Sequence, residues 1–484
     1  MNKHQNRIRS KTASLKSLRP GAKNPLQCLP LLLCASPLML CQQAGAQATQ
    51  PSASTTNSAS TAAASVSTNA AASCLPEKPA WLTDVSLGLK ETYDNNIFGV
   101  SGFGAGEKGS WITTISPSLG FNFAPLLGEQ TPFQTLALGY TPEFNIYHDA
   151  PTESYNAQRL SQSIKASSDP FSFSLDNAFT YIDGSSTAPT YAGLDSNRSA
   201  YATAFPRERR QQIQDRSKVV LQYDQPHWFV RPTASLLYYD LMTDQRNIAG
   251  YQNYADRYDV NGGVDFGYKI TPKLAVTLGY RYGHQYQEQF ASNIDSTHTS
   301  SPSDYHRALI GLEGSPWTWL TFAYQGGPDF RSYETDSATH VTPVSDFNPI
   351  TYYGEGSATA TLTDKDRLSL RYKQWRWVSS TGKLPLTDSL YELSYKRKLV
   401  NPLTFDLTGR IQSSDYNCGD ASTSKRDDYV YSVSTGLTWV VNPHFNMNLT
   451  YTLDLGRNQQ DNVDAGDYRE YDHQMISFGL QFKL

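Results

Sequence analysis

Eight histidines follow the first fifty residues: His148, His227, His284, His298, His306, His340, His444 and His473. An imidazole beside a serine or cysteine could activate a nucleophile, and two imidazoles a helical turn apart could hold a metal. Neither arrangement is written here, for there is no nucleophile elbow, no His-Glu-x-x-His and no paired metal-ligand spacing. The chain is therefore expected to be no enzyme, with no catalytic residues, no metal and no cofactor. Solvated or interfacial positions are expected for the histidines.

The second kind of chemistry is charge at every other position. Arg216, Lys218, Arg257, Lys269, Arg281, Arg367, Arg371, Lys373, Lys396, Lys398 and Arg410, with Lys483, fall on the polar face of alternating segments. Fewer acidic residues share those faces: Asp176, Asp259, Asp265, Glu392, Asp406 and Asp454. Rings of Arg or Lys around an aqueous path select anions, so these residues are expected to line a pore that favours anionic solutes.

What would position them is a set of strands. At the chain's end Ile476, Phe478, Leu480, Phe482 and Leu484 alternate with Ser477, Gly479, Gln481 and Lys483. Leu403, Phe405, Leu407 and Ile411 repeat the pattern against Thr404, Asp406, Thr408 and Arg410, and so do Phe445, Met447, Leu449, Tyr451, Leu453 and Leu455 against their neighbours. The same period of two runs through 171–181, 258–270, 274–282, 368–372 and 429–441, while 156–167 and 350–362 carry it weakly. Such segments of about ten residues have the length of tilted strands that cross a bilayer. A soluble sandwich would need a second layer to cover each apolar face, and no complementary pattern supplies one.

Short turns punctuate one side, at Asp169-Pro170, 225–227, 271–273, Ser315-Pro316, 363–366, Asn401-Pro402 and Asn442-Pro443, with a looser connection over 125–132. Pro, Asn and Asp supply the dihedrals that tight turns demand. On the other side lie longer polar stretches, among them 183–210, 288–303, 326–347, 413–426 and 456–467. Eight turns and nine long loops predict an all-β, transmembrane, up-and-down antiparallel barrel of about 18 strands (16 to 18), with both termini on the short-turn, periplasmic side. Trp228, Trp317, Trp319, Phe445 and many of the 31 tyrosines flank the apolar bands as an interfacial girdle would.

An aromatic content of 12% beside only 18% charged residues excludes an acidic disordered chain. No stretch approaches the roughly 20 apolar residues of a spanning helix. Residues 1–48 read as a secretory signal: seven basic and no acidic residues, a short apolar run from Cys28 to Leu40, then Ala44-Gly45-Ala46-Gln47-Ala48. Leu40 before Cys41 argues against a lipid anchor. Removing the signal shifts the balance from −4 to about −11, which disfavours nucleic acid as a partner. Residues 49–80, rich in Ala, Ser and Thr, read as a disordered tether, and 81–484 as the barrel.

Cys74 and Cys418, the cysteines left after the signal, are expected on opposite sides of the membrane and hence unbridged. Acidic loop residues such as Asp415, Asp420, Asp427, Asp428, Asp461 and Asp464 read as a solvated face near lipopolysaccharide. The run Arg207-Glu208-Arg209-Arg210 suits either an inward constriction or outer-leaflet phosphate.

Two resemblances add to this reading. Ser477-Phe478-Gly479-Leu480-Gln481-Phe482-Lys483-Leu484 resembles the carboxy-terminal signal read by the barrel-assembly machinery, through Ser477, Gly479, Phe482 and Leu484, with Leu in place of the commoner terminal Phe. Tyr93-Asp94-Asn95-Asn96-Ile97-Phe98 followed by Ile115-Ser116-Pro117-Ser118-Leu119 resembles the opening of a β-barrel porin family, the second of its type, from Gram-negative outer membranes. Members of that family often accompany exopolysaccharide production. The expected function is a porin-like outer-membrane channel for polar, notably anionic, solutes. The alternatives are a barrel that serves surface-polysaccharide export and a closed structural barrel.

Overall fold

The computed structural model describes residues 78–97, 108–128, 130–183, 211–240, 256–287, 302–333, 350–377, 386–415, 426–460 and 471–484. Cys74, Cys418, the signal, most of the tether, Arg207–Arg210, His298 and His340 lie outside them, as do Asp420, Asp461 and Asp464.

Eighteen strands account for nearly all of the described chain. The first six are β1 (Leu82–Asp94), β2 (Ser110–Asn122), β3 (Phe133–Tyr147), β4 (Tyr155–Ser168), β5 (Phe171–Asp183) and β6 (Gln212–Asp224). Next come β7 (Trp228–Asp240), β8 (Arg257–Thr271), β9 (Leu274–Gln287), β10 (Ser303–Trp317), β11 (Leu320–Tyr333) and β12 (Ile350–Thr361). The last are β13 (Asp366–Trp377), β14 (Leu386–Val400), β15 (Leu403–Asp415), β16 (Arg426–Asn442), β17 (Phe445–Gln460) and β18 (Tyr471–Lys483). Each pairs antiparallel with its neighbours in sequence, and β1 pairs with β18, so the sheet closes on itself without an edge.

Followed strand by strand, the register advances by about 22 residues before it returns to β1, a shear that fits a tilt of about 40°. With strands about 4.8 Å apart, a round cylinder of this kind measures roughly 35 Å between opposite backbones. Side chains alone cannot fill such a bore.

The faces are inverted relative to a soluble protein. Leu87, Trp111, Phe144, Phe266, Leu278, Ile310, Leu370, Leu393, Val433, Leu449, Ile476 and Phe478 stand exposed on the outer face. The inner face carries most of the buried polar residues, among them Thr92, Ser118, Asn145, Asp265, Thr277 and Arg307. Since side chains alternate along each strand, one register fixes both faces.

Both termini of the cylinder, Leu82 and Lys483, lie at the rim of the short turns. The looser connection at this rim contains a 3-10 turn, Ala124–Leu127. Three sequence expectations are corrected. The 326–347 stretch is not all loop, because β11 runs through Gly326-Gly327-Pro328 to Tyr333; a Cβ at Gly327 would strike the carbonyl oxygen of Ala308, so glycine serves a close backbone approach inside the wall. The β3–β4 connection is short, with a 3-10 turn at Pro151–Glu153. Ser315-Pro316 belongs to β10, whose turn falls after Trp317.

Prolines locally open the wall. The β2–β3 pairing skips from Ile115/Phe144 to Leu119/Tyr140, across Pro117 and Pro142, neither of which has an N–H to donate. Pro232 and Pro328 lie in similar gaps between β6 and β7 and between β10 and β11.

Candidate functional site

The register places Arg216, Lys218, Arg257, Lys269, Arg281, Arg367, Arg371, Lys373, Lys396, Lys398 and Arg410 on the inner face. It also places there cations that sequence reasoning missed, Lys90, Arg159, Lys165, Arg231, Arg307 and Arg331. The missed acids are more numerous: Asp84, Asp94, Glu143, Asp224, Glu313, Asp329, Glu355 and Asp388, and Asp428, expected on a solvated loop, is instead buried on the inner face of β16. A mostly positive lumen thereby becomes one of near-balanced charge, the signs being paired across neighbouring strands. The spacing of Tyr305-x-Arg307 and Asp329-x-Arg331 was the available signal, hidden because Gly326-Gly327-Pro328 reads as a loop.

The most buried pairs form one network towards the long-loop rim. Arg307 Nε donates to Asp329 Oδ2 at 2.9 Å, and Arg331 Nη2 donates to the same oxygen at 3.0 Å. The Arg307 guanidinium sits 4.0 Å from the ring centroid of Tyr305 and 4.1 Å from that of Tyr353. Arg331 Nη1 donates to Gln285 Oε1 at 2.6 Å, and Gln285 Nε2 donates to Asp259 Oδ2 at 2.7 Å. The Tyr305 hydroxyl completes the circuit by donating to Asp259 Oδ1 at 2.8 Å. Asp329 and Arg331 side chains are fully buried, so each charge there depends on its partner for the solvation it has lost.

This network reaches across the lumen. Gln285 Nε2 of β9 donates to the carbonyl oxygen of Arg376 at 3.0 Å, and Arg331 Nη2 does so at 3.3 Å. In a round cylinder strands four apart would stand about 20 Å from each other, beyond the reach of a glutamine. Tyr239 of β7 and Trp377 of β13 touch with ring centroids 6.5 Å apart, and Arg257 of β8 lies 5.1 Å and 5.2 Å above the two rings. Glu355 of β12 lies within electrostatic reach of both Lys218 of β6 and Lys373 of β13. The end of β13 therefore bends inwards, and the lumen between β6 and β14 is pinched into a slot walled by aromatic rings and paired charges.

Away from the slot the pairs are less buried. Arg231 grips Glu313 with two donors, at 3.0 and 2.8 Å, and Arg281 Nη2 donates to Asp265 at 2.9 Å. Lys269 Nζ meets Asp224 at 2.6 Å, Arg371 meets Glu392 at 3.4 Å, and Lys396 meets Asp406 at 3.3 Å.

His473 is neither solvated nor interfacial, which corrects the expectation. It lies on the inner face at the closing seam, with Nε2 2.8 Å from Asp94 Oδ1 of β1 and Nδ1 3.5 Å from Asp454 Oδ2 of β17. Only a register that closes the cylinder brings these three together. His284 and His306 face outwards beside Asp304 and the Tyr280 hydroxyl, and His148 beside Thr113.

The four C-terminal residues singled out in the sequence join β18 to its neighbours on both sides. Ser477 and Thr92 hydroxyls share a hydrogen bond of 2.9 Å, a Cβ at Gly479 would strike Asn448, the Phe482 ring lies 4.9 Å from that of Phe445, and Leu484 N donates to the carbonyl oxygen of Val85 at 3.0 Å.

No family model matches the chain, and no curated protein matches it. Among solved structures it is similar to the outer membrane protein OpdK of Pseudomonas aeruginosa, at 11% identity over 83% of this chain and 99% of that one, with a TM-score of 0.40. OccK2 (OpdF) of the same organism, in complex with glucuronate, gives 10% identity, 83% and 98% coverage and a TM-score of 0.41. The siderophore receptor PirA from Acinetobacter baumannii gives 7%, 83%, 80% and 0.39.

Proposed function

We propose that the chain is an outer-membrane channel of porin type, through which small polar solutes pass along a slot of paired charges. The supporting observation is the inversion of its faces around a closed cylinder: apolar side chains outside, polar ones inside. Water on the outer face would leave that apolar band unburied, and lipid there gives it a solvent. The bore is too wide for side chains to fill, so the inner polar face borders water.

In this reading the signal at 1–48 exports the chain, the short-turn rim with both termini faces the periplasm, and the assembly machinery reads Ser477 to Leu484. Lipid and lipopolysaccharide surround the wall. Inner cations without a close carboxylate favour anionic solutes, although the paired acids moderate the preference. The resemblance of residues 93–119 supports a link with exopolysaccharide; loss of surface polysaccharide on deletion, with solute uptake intact, would bear that link out.

The test is conductance of the purified full chain in a planar bilayer. Discrete steps, smaller than a bore of this width would give because of the slot, are the expected result. A second reading, a closed structural barrel, is favoured by one observation, the contact of Tyr239 with Trp377 across the lumen. A silent bilayer with correctly folded protein would select it and reject the channel.

A further inference from the structure

At the short-turn mouth the inner charges are arranged differently on one arc of the wall. Lys269 and Arg231 have carboxylates at 2.6 and 2.8 Å. On β13 and β14, by contrast, Arg367 stands directly opposite Lys396 in the register, both on the inner face, and Lys398 follows two residues on. All three are exposed to the lumen. Among the described residues, neither Arg367 nor Lys398 has a carboxylate within ion-pair distance, and the single acid on the arc, Asp406, meets Lys396 at 3.3 Å between two exposed groups. Asp366 is on the other face, engaged by the Tyr395 hydroxyl at 2.6 Å and by Arg397 at 3.4 Å.

Like charges directly opposed across two strands destabilise a sheet. Around them the inner face offers hydroxyls rather than acids: Thr361 opposite Arg367, Thr404 opposite Lys398, and Ser369 one step along β13. Cations clustered beside hydroxyl donors form the recognition chemistry of phosphoryl and carboxylate oxygens, with the Arg fork able to bind two of them at once.

We infer that Arg367, Lys396 and Lys398, with the neighbouring hydroxyls, form a binding station for a polyvalent oxyanion inside the short-turn mouth. The inference deepens the channel reading and rests on it for its role: the slot at the far rim admits solutes through paired charges, and the station holds the multiply charged ones at the other end. Because the three side chains face the lumen, the ligand is a solute and not a lipid headgroup.

The experiment is calorimetric titration of tripolyphosphate into the detergent-solubilised full chain, which needs no conductance. Binding is expected, weakened about tenfold or more when Arg367→Gln, Lys396→Gln and Lys398→Gln are combined, and unchanged by Lys273→Gln, in the turn between β8 and β9 and away from the lumen wall. Lys398→Gln alone, removing one of three charges, should weaken it about threefold and guards against a folding defect in the triple variant. No binding by the parent, or equal binding by the properly folded variants, overturns the station. Binding by a barrel that never conducts supports the station and overturns the channel; conductance without binding does the reverse.

Discussion

Tyr239 and Trp377 meet edge to face, their ring centroids 6.5 Å apart, although five strands lie between β7 and β13 around the wall. A round cylinder would hold those strands about 30 Å apart. The contact makes these two rings the jaws of the slot. Trp377→Ala should therefore raise unit conductance by about twofold or more, the constriction being where resistance concentrates. Single-channel recording checks it; an unchanged conductance would place the limiting section elsewhere.

Asp329 accepts from both Arg307 and Arg331 in a fully buried setting. Asp329→Ala leaves two guanidiniums without their shared counter-charge and should cost about 3–5 kcal/mol. Combining Asp329→Leu with Arg307→Met and Arg331→Met should cost less than the single change, since none of the three charges then remains to be left without its partner. Urea unfolding in detergent, followed by tryptophan fluorescence, measures both.

On β13, Leu370 faces out and its neighbour Ser369 faces in. Leu370→Arg should destabilise the barrel by about 2–4 kcal/mol in lipid, the cost of a cation near the bilayer midplane, while Ser369→Arg should change stability little. Equal costs from unfolding in liposomes would contradict the assignment of the two faces.

At Gly327 any side chain meets the Ala308 carbonyl oxygen in the neighbouring strand. Gly327→Val should force β10 and β11 apart and cost about 1–3 kcal/mol. The shift of the thermal transition of the folded band on unheated gels is the readout.

The closing strand β18 offers a further test. Phe482→Ser and Leu484→Ser together should lower the yield of folded barrel in membranes, without a comparable loss when purified chains refold in detergent. Equal losses in both settings would make the effect one of packing between Phe482 and Phe445 rather than of recognition.

Much of the wall was legible because a closed barrel writes its two faces at every second residue. β18 shows this plainly: Ile476 and Phe478 outside, Ser477 and Gly479 inside. The strands that read faintly did so for physical reasons. On β4, Gln158 and Gln162 occupy outer positions that other strands fill with apolar residues. On β12 both faces carry small residues, Gly354, Gly356, Ala358 and Ala360 outside and Ser357 and Thr359 inside. The slot itself could not be read. Its partners come from β7, β8, β9, β11 and β13, and the bend that unites them is a property of the wall's cross-section, which alternation along one strand does not encode. The opposition of Arg367 and Lys396 likewise needed the register of β13 against β14.

Every strand of the cylinder leans on its sequence neighbours except at the single juncture where β1 meets β18, and Thr92 there touches Ser477 across almost the whole chain. A product shortened by its last 14 residues, Tyr471–Leu484, would thus be more than a barrel with one stave fewer. It would be an open, curled ribbon with β1 and β17 as raw margins, each presenting unsatisfied amides to any other chain it meets.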